Sequence, residues 1–574
     1  MKNKELSGLF TEIAELLSLG DENIFKIRAY ERAAQVISAL PDPIEDIAAR
    51  GKLLEIPGIG AGIAEKINDY LSSGKIPYLD ELKKIFPQGL LDIMSVQGMG
   101  PKKAKILFDK LNIDGIPSLE KAAKEGKIRG LPGFGEKTEE NILKGIALRK
   151  SFGGRILLDE ALNAARSVIS ELKRNKYIKR ISPAGSLRRF KETIGDIDIL
   201  CSVVSNTEKH VVGCFTKLKN VKRVLAAGDT KGSIITDEGI QVDLRVVEDE
   251  SFGAALQYFT GSKEHNVALR GFARDKGLTI NEYGVFKISD KKKAIASKTE
   301  EDVYKSLGLP YIPPALREDR GELEAALHKK LPKLIELKDI KGDFHVHSTY
   351  SDGSHTIAEI AERAREAGYE WIVITDHSQS LKVARGLSSD ILHKKIKEIE
   401  HLNKKLKGFR VLCGTEVDIH SDGSLDYPDE ILKQLDWVIA SVHTGFKQSE
   451  EQITNRIISA LRNPYVNCIG HLTGRLINER EGYAVNVEKV LEAAKETGKL
   501  LEINSYPQRL DLYDIYCRKA KEMGVRVAIG TDSHSVEQFP NMELGVAVAQ
   551  RGWMEKKDVL NTLTLHDLFK YLNK

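Results

Sequence analysis

The sequence predicts a multidomain chain with three successive architectures: an all-α front, an α/β middle and a C-terminal (β/α) barrel. Three observations carry this. A Gly-x-Gly hairpin recurs three times within the first 150 residues. An Asp-x-Asp strand around Asp196 is followed by a second short strand carrying Asp243. After residue 341, apolar strand-like runs that end in polar residues alternate with helical segments.

The 574 residues favour several domains over one. At 41% hydrophobic and 30% charged residues, the chain has ample material for packed cores. The opening MKNKELSGLFTEIAELL has no apolar core of signal-peptide length, and no membrane-length stretch is free of charge. A cytoplasmic protein without a membrane partner is expected. The five cysteines are scattered and form no CxxC pair, so they read as reduced thiols and not as a disulfide framework or a cysteine zinc site. Net charge is only +4, yet Lys102–Lys191 holds 22 Lys and Arg against 10 Asp and Glu, a candidate polyanion surface. Eleven of the fourteen histidines lie at or after His345, so the last part of the chain has its own chemistry.

The front third contains IPGIGAGIAEKI from Ile56, VQGMGPKKAKIL from Val96 and LPGFGEKTEENI from Leu131. Each reads as the end of a helix (Leu53–Ile56, Ile93–Val96, Ile128–Leu131), a Gly-x-Gly hairpin and a second helix. Glycines permit positive φ and close backbone approach, and a helix N-terminus favours phosphate. One copy also makes an ordinary turn; three point to anion binding. The pattern resembles helix-hairpin-helix motifs, which grip the DNA backbone without reading sequence. Gly58, Gly60, Gly98, Gly100, Gly133 and Gly135 are the expected DNA contacts.

In GSLRRFKETIGDIDIL, residues 185–200, Asp196 and Asp198 share one strand face while Ile197 and Ile199 take the other. Paired carboxylates repel unless a cation lies between them, and oxygen ligands at this spacing suit Mg2+. The strand QVDLRVV from Gln241 can bring Asp243 beside them. Gly185-Ser186 with Arg188 and Arg189 forms a candidate triphosphate cradle. An Asp-x-Asp pair alone is common on solvated strands; this ordered constellation is not. It resembles the nucleotidyltransferase superfamily, and YFTGSKEHN, residues 258–266, resembles the sugar- and base-contacting motif of family X DNA polymerases.

That resemblance covers about residues 1–315. It implies an α/β nucleotidyltransferase palm with thumb, and domains at 1–85 (lyase-like), 86–150 (fingers), 151–245 (palm) and 246–315 (thumb). It implies Mg2+ or Mn2+ held by Asp196, Asp198 and Asp243. Ser186, Arg189 and Gly195 would hold the triphosphate. Tyr258, Phe259 and Gly261 would pack on the incoming sugar, and Asn266 would reach the base. The chain departs from DNA polymerase beta at Gln241, where that protein has arginine, at Lys263, where it has aspartate, and at Phe190, where the pattern has glycine. Lys66 falls at the position of the family's Schiff-base lysine, with Lys26 and Arg28 as neighbours; the plain alternative is a phosphate-binding lysine. Phe25 stands where DNA polymerase beta has histidine.

A linker is expected at 316–340, with Arg317–Lys338 a charged helical stretch. Then come seven strand-like runs: DFHVHS, WIVITDH, FRVLCGTEVD, DWVIASVH, NCIGH, LLEINS and VRVAIGTDSH. Helices such as Ile357–Ala367 and Val487–Thr497 intervene. Strands with polar C-terminal ends predict a barrel with its site on that rim. The polar residues are His345, His347, Asp352, His377, Glu416, His443, His471, Asp532 and His534. Any one alone reads as surface or core; nine together suit a Zn2+ or Mn2+ cluster. His355 falls outside the pattern and reads as a surface residue. The order resembles the polymerase and histidinol phosphatase (PHP) domain, a distorted TIM-like barrel, over 341–574. It implies three Zn2+ or Mn2+ ions, the first on His345, His347, Glu416 and Asp532. The second would sit on Glu416, His443 and His471, the third on Asp352, His377 and His534.

The whole chain is thus identified as a member of the bacterial and archaeal family X DNA polymerases that carry a PHP domain. The expected activity is template-directed filling of short gaps in DNA repair plus metal-dependent 3′–5′ exonuclease action. Lyase action, or cleavage at abasic sites, is a further expectation. Gapped or nicked DNA and deoxynucleoside triphosphates are the expected partners of a monomer. The rival readings are a small-metabolite phosphatase and a DNA-end scaffold with relic sites.

Overall fold

The computed structural model describes residues 2–20, 22–38, 44–56, 58–87, 89–94, 96, 99–151, 155–290 and 292–572. Two compact units emerge: Met1–Gly154 with Asn478–Arg480, and Arg155–Ile477 with Glu481–Lys574.

The first unit is all-α across its described residues, with one apolar core running from Leu6 to Ile146. Its three hairpins share one local geometry. In each, the amide between or after the two glycine positions bonds back to an apolar residue three places earlier: Ile59 N to Ile56 O at 3.0 Å, Met99 N to Val96 O at 2.9 Å, and Phe134 N to Leu131 O at 3.0 Å. Helices Ala61–Ser73, Pro101–Leu111 and Glu136–Ser151 follow. Gly58 takes φ +98° and Gly133 +81°, a region that other residues enter at a cost. The flanks differ from expectation. Leu53–Glu55 is a 3₁₀ turn, Ile93 does end a helix (Gly89–Met94), and Ile128–Leu131 is a turn. Buried Glu139 fixes that third turn by accepting from the Ile128 and Arg129 amides, both at 3.1 Å.

In the second unit, a five-stranded sheet runs in the order Ile178–Pro183, Ile197–Val203, Gln241–Val247, Lys231–Thr236, Val221–Ala227. Its Ile197–Val203 and Gln241–Val247 strands are parallel and place Asp198 opposite Asp243. Helices Phe252–Thr260 and Lys263–Asp275 follow, the second started by Ser262, whose hydroxyl accepts from His265 N at 3.1 Å.

Seven parallel strands in sequential order make the barrel: Gly342–Val346, Trp371–Ile374, Arg410–Asp418, Trp437–Ser441, Cys468–Ile469, Leu500–Asn504 and Val527–Gly530. A parallel bridge between Val346 and Ser533 joins the last strand back to the first. The strands are buried on both faces, which is why they read as near-continuous apolar runs.

The segment expected as a linker is packed structure. Arg317 is fully buried and donates to Glu300 at 2.6 Å; Glu322 lies 2.6 Å from His265; Ile335 bonds to Met554 at 3.0 Å. Only Glu322–Leu327 of the charged stretch is α-helical, because Gly321 and Pro332 interrupt it. His355, read as a surface residue, is half-buried.

Candidate active sites

The first candidate site is a cleft of about 380 Å³ on the five-stranded sheet. It is lined by Gly185, Ser186, Arg189, Asp196, Asp198, Tyr258, Phe259, Gly261, Lys263, Asn266 and Arg270. Oxygen atoms of Asp196, Asp198 and Asp243 lie within 4.8 Å of one another. Burial, then the neighbouring Asp196 and Asp243 charges, push the Asp198 carboxyl up to about 6. A cation among the three relieves that repulsion, so the donor set fits a hard divalent ion. Gly185 is required here: a Cβ would sit 2.2 Å from Asp198 Oδ2.

Each expected nucleotide contact has a defined setting. Arg189 donates to the Thr260 carbonyl and to Glu318 at 3.1 Å. The Asn266 amide donates to Tyr258 O at 2.8 Å and accepts from Gln257 at 2.8 Å. The Tyr258 and Phe259 rings meet edge to face at 5.2 Å. Gly195 is exposed just before Asp196 and does not line the cleft. Phe190 adopts φ +55°, the conformation for which the family pattern supplies glycine. Arg270 was not singled out from the sequence; it lies one turn after Asn266 on the same helix, and that spacing was the available signal.

The second site lies at the C-terminal ends of the barrel strands. His345 Nε2 and His347 Nε2 are 3.1 Å apart. His347 Nε2 is 3.1 Å from Asp532 Oδ1, and His345 Nε2 is 3.4 Å from Glu416 Oε2. Glu416 Oε1 lies 3.3 Å from His443 and 2.9 Å from His471. Asp352 is 3.7 Å from His377 and 3.4 Å from His534. All nine expected ligands therefore converge, with more sharing than the single common ligand, Glu416, of the three expected sets. His377 Nδ1 is also 2.9 Å from Glu416 Oε2, and His347 Nδ1 is 3.8 Å from Asp352. Burial opposes ionisation of Glu416, yet His443, His377 and His345 outweigh it and hold the carboxyl well below the usual range.

Metal fit can be tested on polar atoms. His347 Nδ1, His471 Nδ1 and Asp352 Oδ1 are buried and make no hydrogen bond. Such atoms are costly unless something ligates them. His471 (φ +22°) and Asp532 (φ +53°) also hold backbone conformations that non-glycine residues avoid.

A supporting shell surrounds these ligands, and the sequence did not reveal it. Glu502 bonds His345 Nδ1 at 2.6 Å and accepts from the His471 amide at 2.7 Å. Asp418 accepts from His443 Nδ1, and Asn504 donates to Asp532 at 3.0 Å. Asp376 accepts from Ser348 and Ser351, in the loop joining His347 to Asp352, and pairs with fully buried Lys395 at 2.9 Å. Such contacts fix imidazole orientation and tautomer.

Of the hairpin glycines, Gly58, Gly60, Gly100, Gly133 and Gly135 are placed as described, and Gly98 lies outside the described residues. Lys66 is half-buried, donates to Gly62 O at 3.1 Å, and shares the Tyr78 ring with Lys26, at 5.0 and 5.2 Å. Four of the five cysteines are buried and all are free; Cys214 is half-buried. Among the described residues, no helix is long and apolar enough to cross a membrane.

Comparison with known proteins assigns families to parts of the chain. Models of a helix-hairpin-helix domain match residues 1–76, and of a SAM-like helix-hairpin-helix tandem residues 90–148. The DNA polymerase beta thumb matches 255–318 and the PHP domain 343–506. The DNA polymerase/3′-5′ exonuclease PolX of Bacillus subtilis (strain 168) is 39% identical over 576 residues, covering 100% of both chains. A probable phosphatase of Thermoanaerobacter sp. (strain X514) is 39% identical over 233 residues, 38% of this chain and 89% of that relative. One from Acetivibrio thermocellus is 35% identical over 201 residues, 33% of this chain and 78% of the relative. The chain therefore belongs to the family X DNA polymerases that carry a PHP domain.

Proposed function

We propose that the protein extends DNA primers at short gaps during repair and trims 3′ ends at its barrel. The observation that carries this is the presence, in one compact unit, of the three-carboxylate cleft and the nine-ligand cluster. A small-metabolite phosphatase needs only the second, and a scaffold needs neither.

In the cleft, Asp196, Asp198 and Asp243 hold Mg2+ or Mn2+. Ser186 and Arg189 take the triphosphate in the cleft, with exposed Gly195 meeting it from outside the lining; Tyr258, Phe259 and Gly261 take the sugar, and Asn266 the base edge. In the barrel, the nine ligands hold Zn2+ or Mn2+. When bound, these ions neutralise phosphate charge and, in the barrel, make water acidic enough to attack at neutral pH. The chain's own part is positioning, which phosphoryl transfer rewards more than covalent help. The hairpins grip the DNA backbone without reading sequence, and a 3′ end held at the cleft has a raised local concentration at the barrel of the same unit. The working partition is 1–85 and 86–150 for DNA binding, then palm, thumb and barrel, in a cytoplasmic monomer. For Lys66 the shared Tyr78 ring favours a phosphate-binding patch with Lys26. Borohydride trapping on an abasic substrate decides this; an adduct lost in Lys66→Ala makes it a lyase nucleophile.

A labelled primer on gapped DNA, with and without deoxynucleotides, tests the main reading. Lengthening with nucleotides and shortening without them is expected. No change in primer length under either condition contradicts it.

A further inference from the structure

Arg551 ends the helix Met542–Arg551 on the outside of the barrel, remote in sequence from the cleft. Its side chain is 5% exposed, and both Nη1 and Nη2 are engaged. Nη2 donates to Asp514 of the barrel at 2.7 Å. Nη1 donates to Glu318 Oε1 at 2.8 Å and to the Arg189 carbonyl at 2.8 Å. Glu318 Oε1 in turn accepts from Arg189 Nε at 3.1 Å. One barrel arginine thus holds both the backbone and, through one carboxylate, the side chain of the arginine that lines the nucleotide cleft.

Two further observations say this hold matters. The residue after Arg189 is Phe190 at φ +55°, so the turn is not at rest on its own preference. A cavity of about 380 Å³ flanks the turn, lined by Phe190, Lys191, Asp514 and Arg551 among others, so packing of Phe190 on the core holds the turn only in part. Phe190 N and Lys191 N bond back to Leu187 O and Ser186 O at 3.0 and 3.1 Å and hold the turn's backbone; the Arg189 side chain is set by its bonds to the Thr260 carbonyl and to Glu318. On the reading of the cleft as a polymerase site, we propose that Arg551 is a positioning residue for nucleotidyl transfer: with Glu318 it sets Arg189 for the incoming triphosphate. The barrel then has a part in polymerisation separate from its own hydrolytic chemistry.

The test is single-nucleotide insertion on gapped DNA with the full-length protein, comparing wild type, Arg551→Ala, Arg551→Lys, Glu318→Gln and the double variant. Arg551→Ala should raise the KM for the incoming nucleotide by about tenfold, as expected for losing one charge-assisted bond. Its kcat, its affinity for gapped DNA and its 3′ trimming should stay near wild type. Arg551→Lys should recover part of the loss. Glu318→Gln should raise KM in the same direction, and the double variant should add little to the larger single effect. If Arg551→Ala does not fold, Glu318→Gln and Arg551→Lys carry the test. The proposal falls if folded variants keep KM within about twofold of wild type, well inside the tenfold one such bond is worth. It falls equally if kcat, DNA affinity and melting temperature drop together without a selective KM effect, which is mere docking. Wild-type protein that inserts no nucleotide overturns the polymerase reading and this one together; insertion with unchanged KM overturns this one alone.

Discussion

At the cleft, Asp198 and Asp243 come from two neighbouring strands and are half-buried, and Asp196 comes from the bend just before the first of them and is exposed. At the barrel, nine ligands come from strand ends and following loops around the sheet, and most are buried. The cleft carboxylates have thin support: Asp243 accepts from Ser233 and, at 3.3 Å, from Gln241. The barrel ligands are backed by Glu502, Asp418, Asn504 and Asp376. The difference suits two kinds of metal use. Ions that arrive with a nucleotide need an open, acidic, loosely held site; ions that stay need prepaid orientation. In the cleft the support lies instead on the arginines. Arg188 is bonded twice to Glu300, at 2.9 and 2.6 Å, and Glu300 also pairs with buried Arg317 at 2.6 Å.

The two centres should differ most in activity. Asp532→Asn removes a barrel ligand, and trimming of single-stranded 3′ ends should fall by at least ~10³-fold with primer extension retained. Equal loss of both activities would mean that the centres are not separate.

Next comes the arginine support. Glu300→Gln leaves Arg317 buried without its charge partner and should cost about 3 kcal/mol at pH 7. Burial opposes ionisation of Glu300, but Arg317 and Arg188 outweigh it and hold its carboxyl below the ordinary value of 4.5. The stabilisation is therefore present above about pH 4.5 and is lost as pH falls through the lowered native value. Urea melts of both proteins from pH 7 to pH 4 check this: the gap should stay wide down to about pH 4.5 and then narrow. A constant gap contradicts it.

A smaller effect is expected behind the barrel ligands. Glu502→Gln replaces no expected metal ligand yet, through its bond to His345 Nδ1, should weaken Mn2+ or Zn2+ affinity by ~10–100-fold. Titration calorimetry on chelator-stripped protein measures it, and unchanged affinity would make Glu502 a packing residue only. The smallest effect has the opposite sign. Asp198→Asn relieves the carboxylate crowding, so metal-free protein should gain about 1 kcal/mol while extension is lost. A destabilised metal-free variant would show that the crowding costs nothing.

Much of this contrast was legible in sequence, for physical reasons. Parallel strands buried on both faces read as apolar runs, so all seven barrel strands stood out, and their polar ends marked the rim. Asp198 and Asp243 stood out because strand periodicity is two, whereas Asp196, expected on the same strand face, lies in the bend just before the strand begins at Ile197. The supporting shell did not. His345 and Glu502 are 157 positions apart, and Arg551 and Glu318 are 233 apart. No local period links such pairs, and a lone acid at a strand end looks like any other. The packed segment after residue 315 was hidden for a related reason: its charges look solvent-exposed until Arg317 finds Glu300 and Glu322 finds His265.

The central claim is that one unit holds two independent centres, one for lengthening and one for shortening a DNA 3′ end. The most direct measurement follows a single 5′-labelled primer on gapped DNA with Mn2+. Wild type, Asp198→Ala and His345→Ala are compared with and without deoxynucleotides. The account predicts that Asp198→Ala still shortens the primer but never lengthens it, while His345→Ala lengthens but never shortens it, with gap binding near wild type in both. Wild-type protein that leaves the 3′ end unshortened, or an Asp198→Ala protein that extends normally, would contradict it.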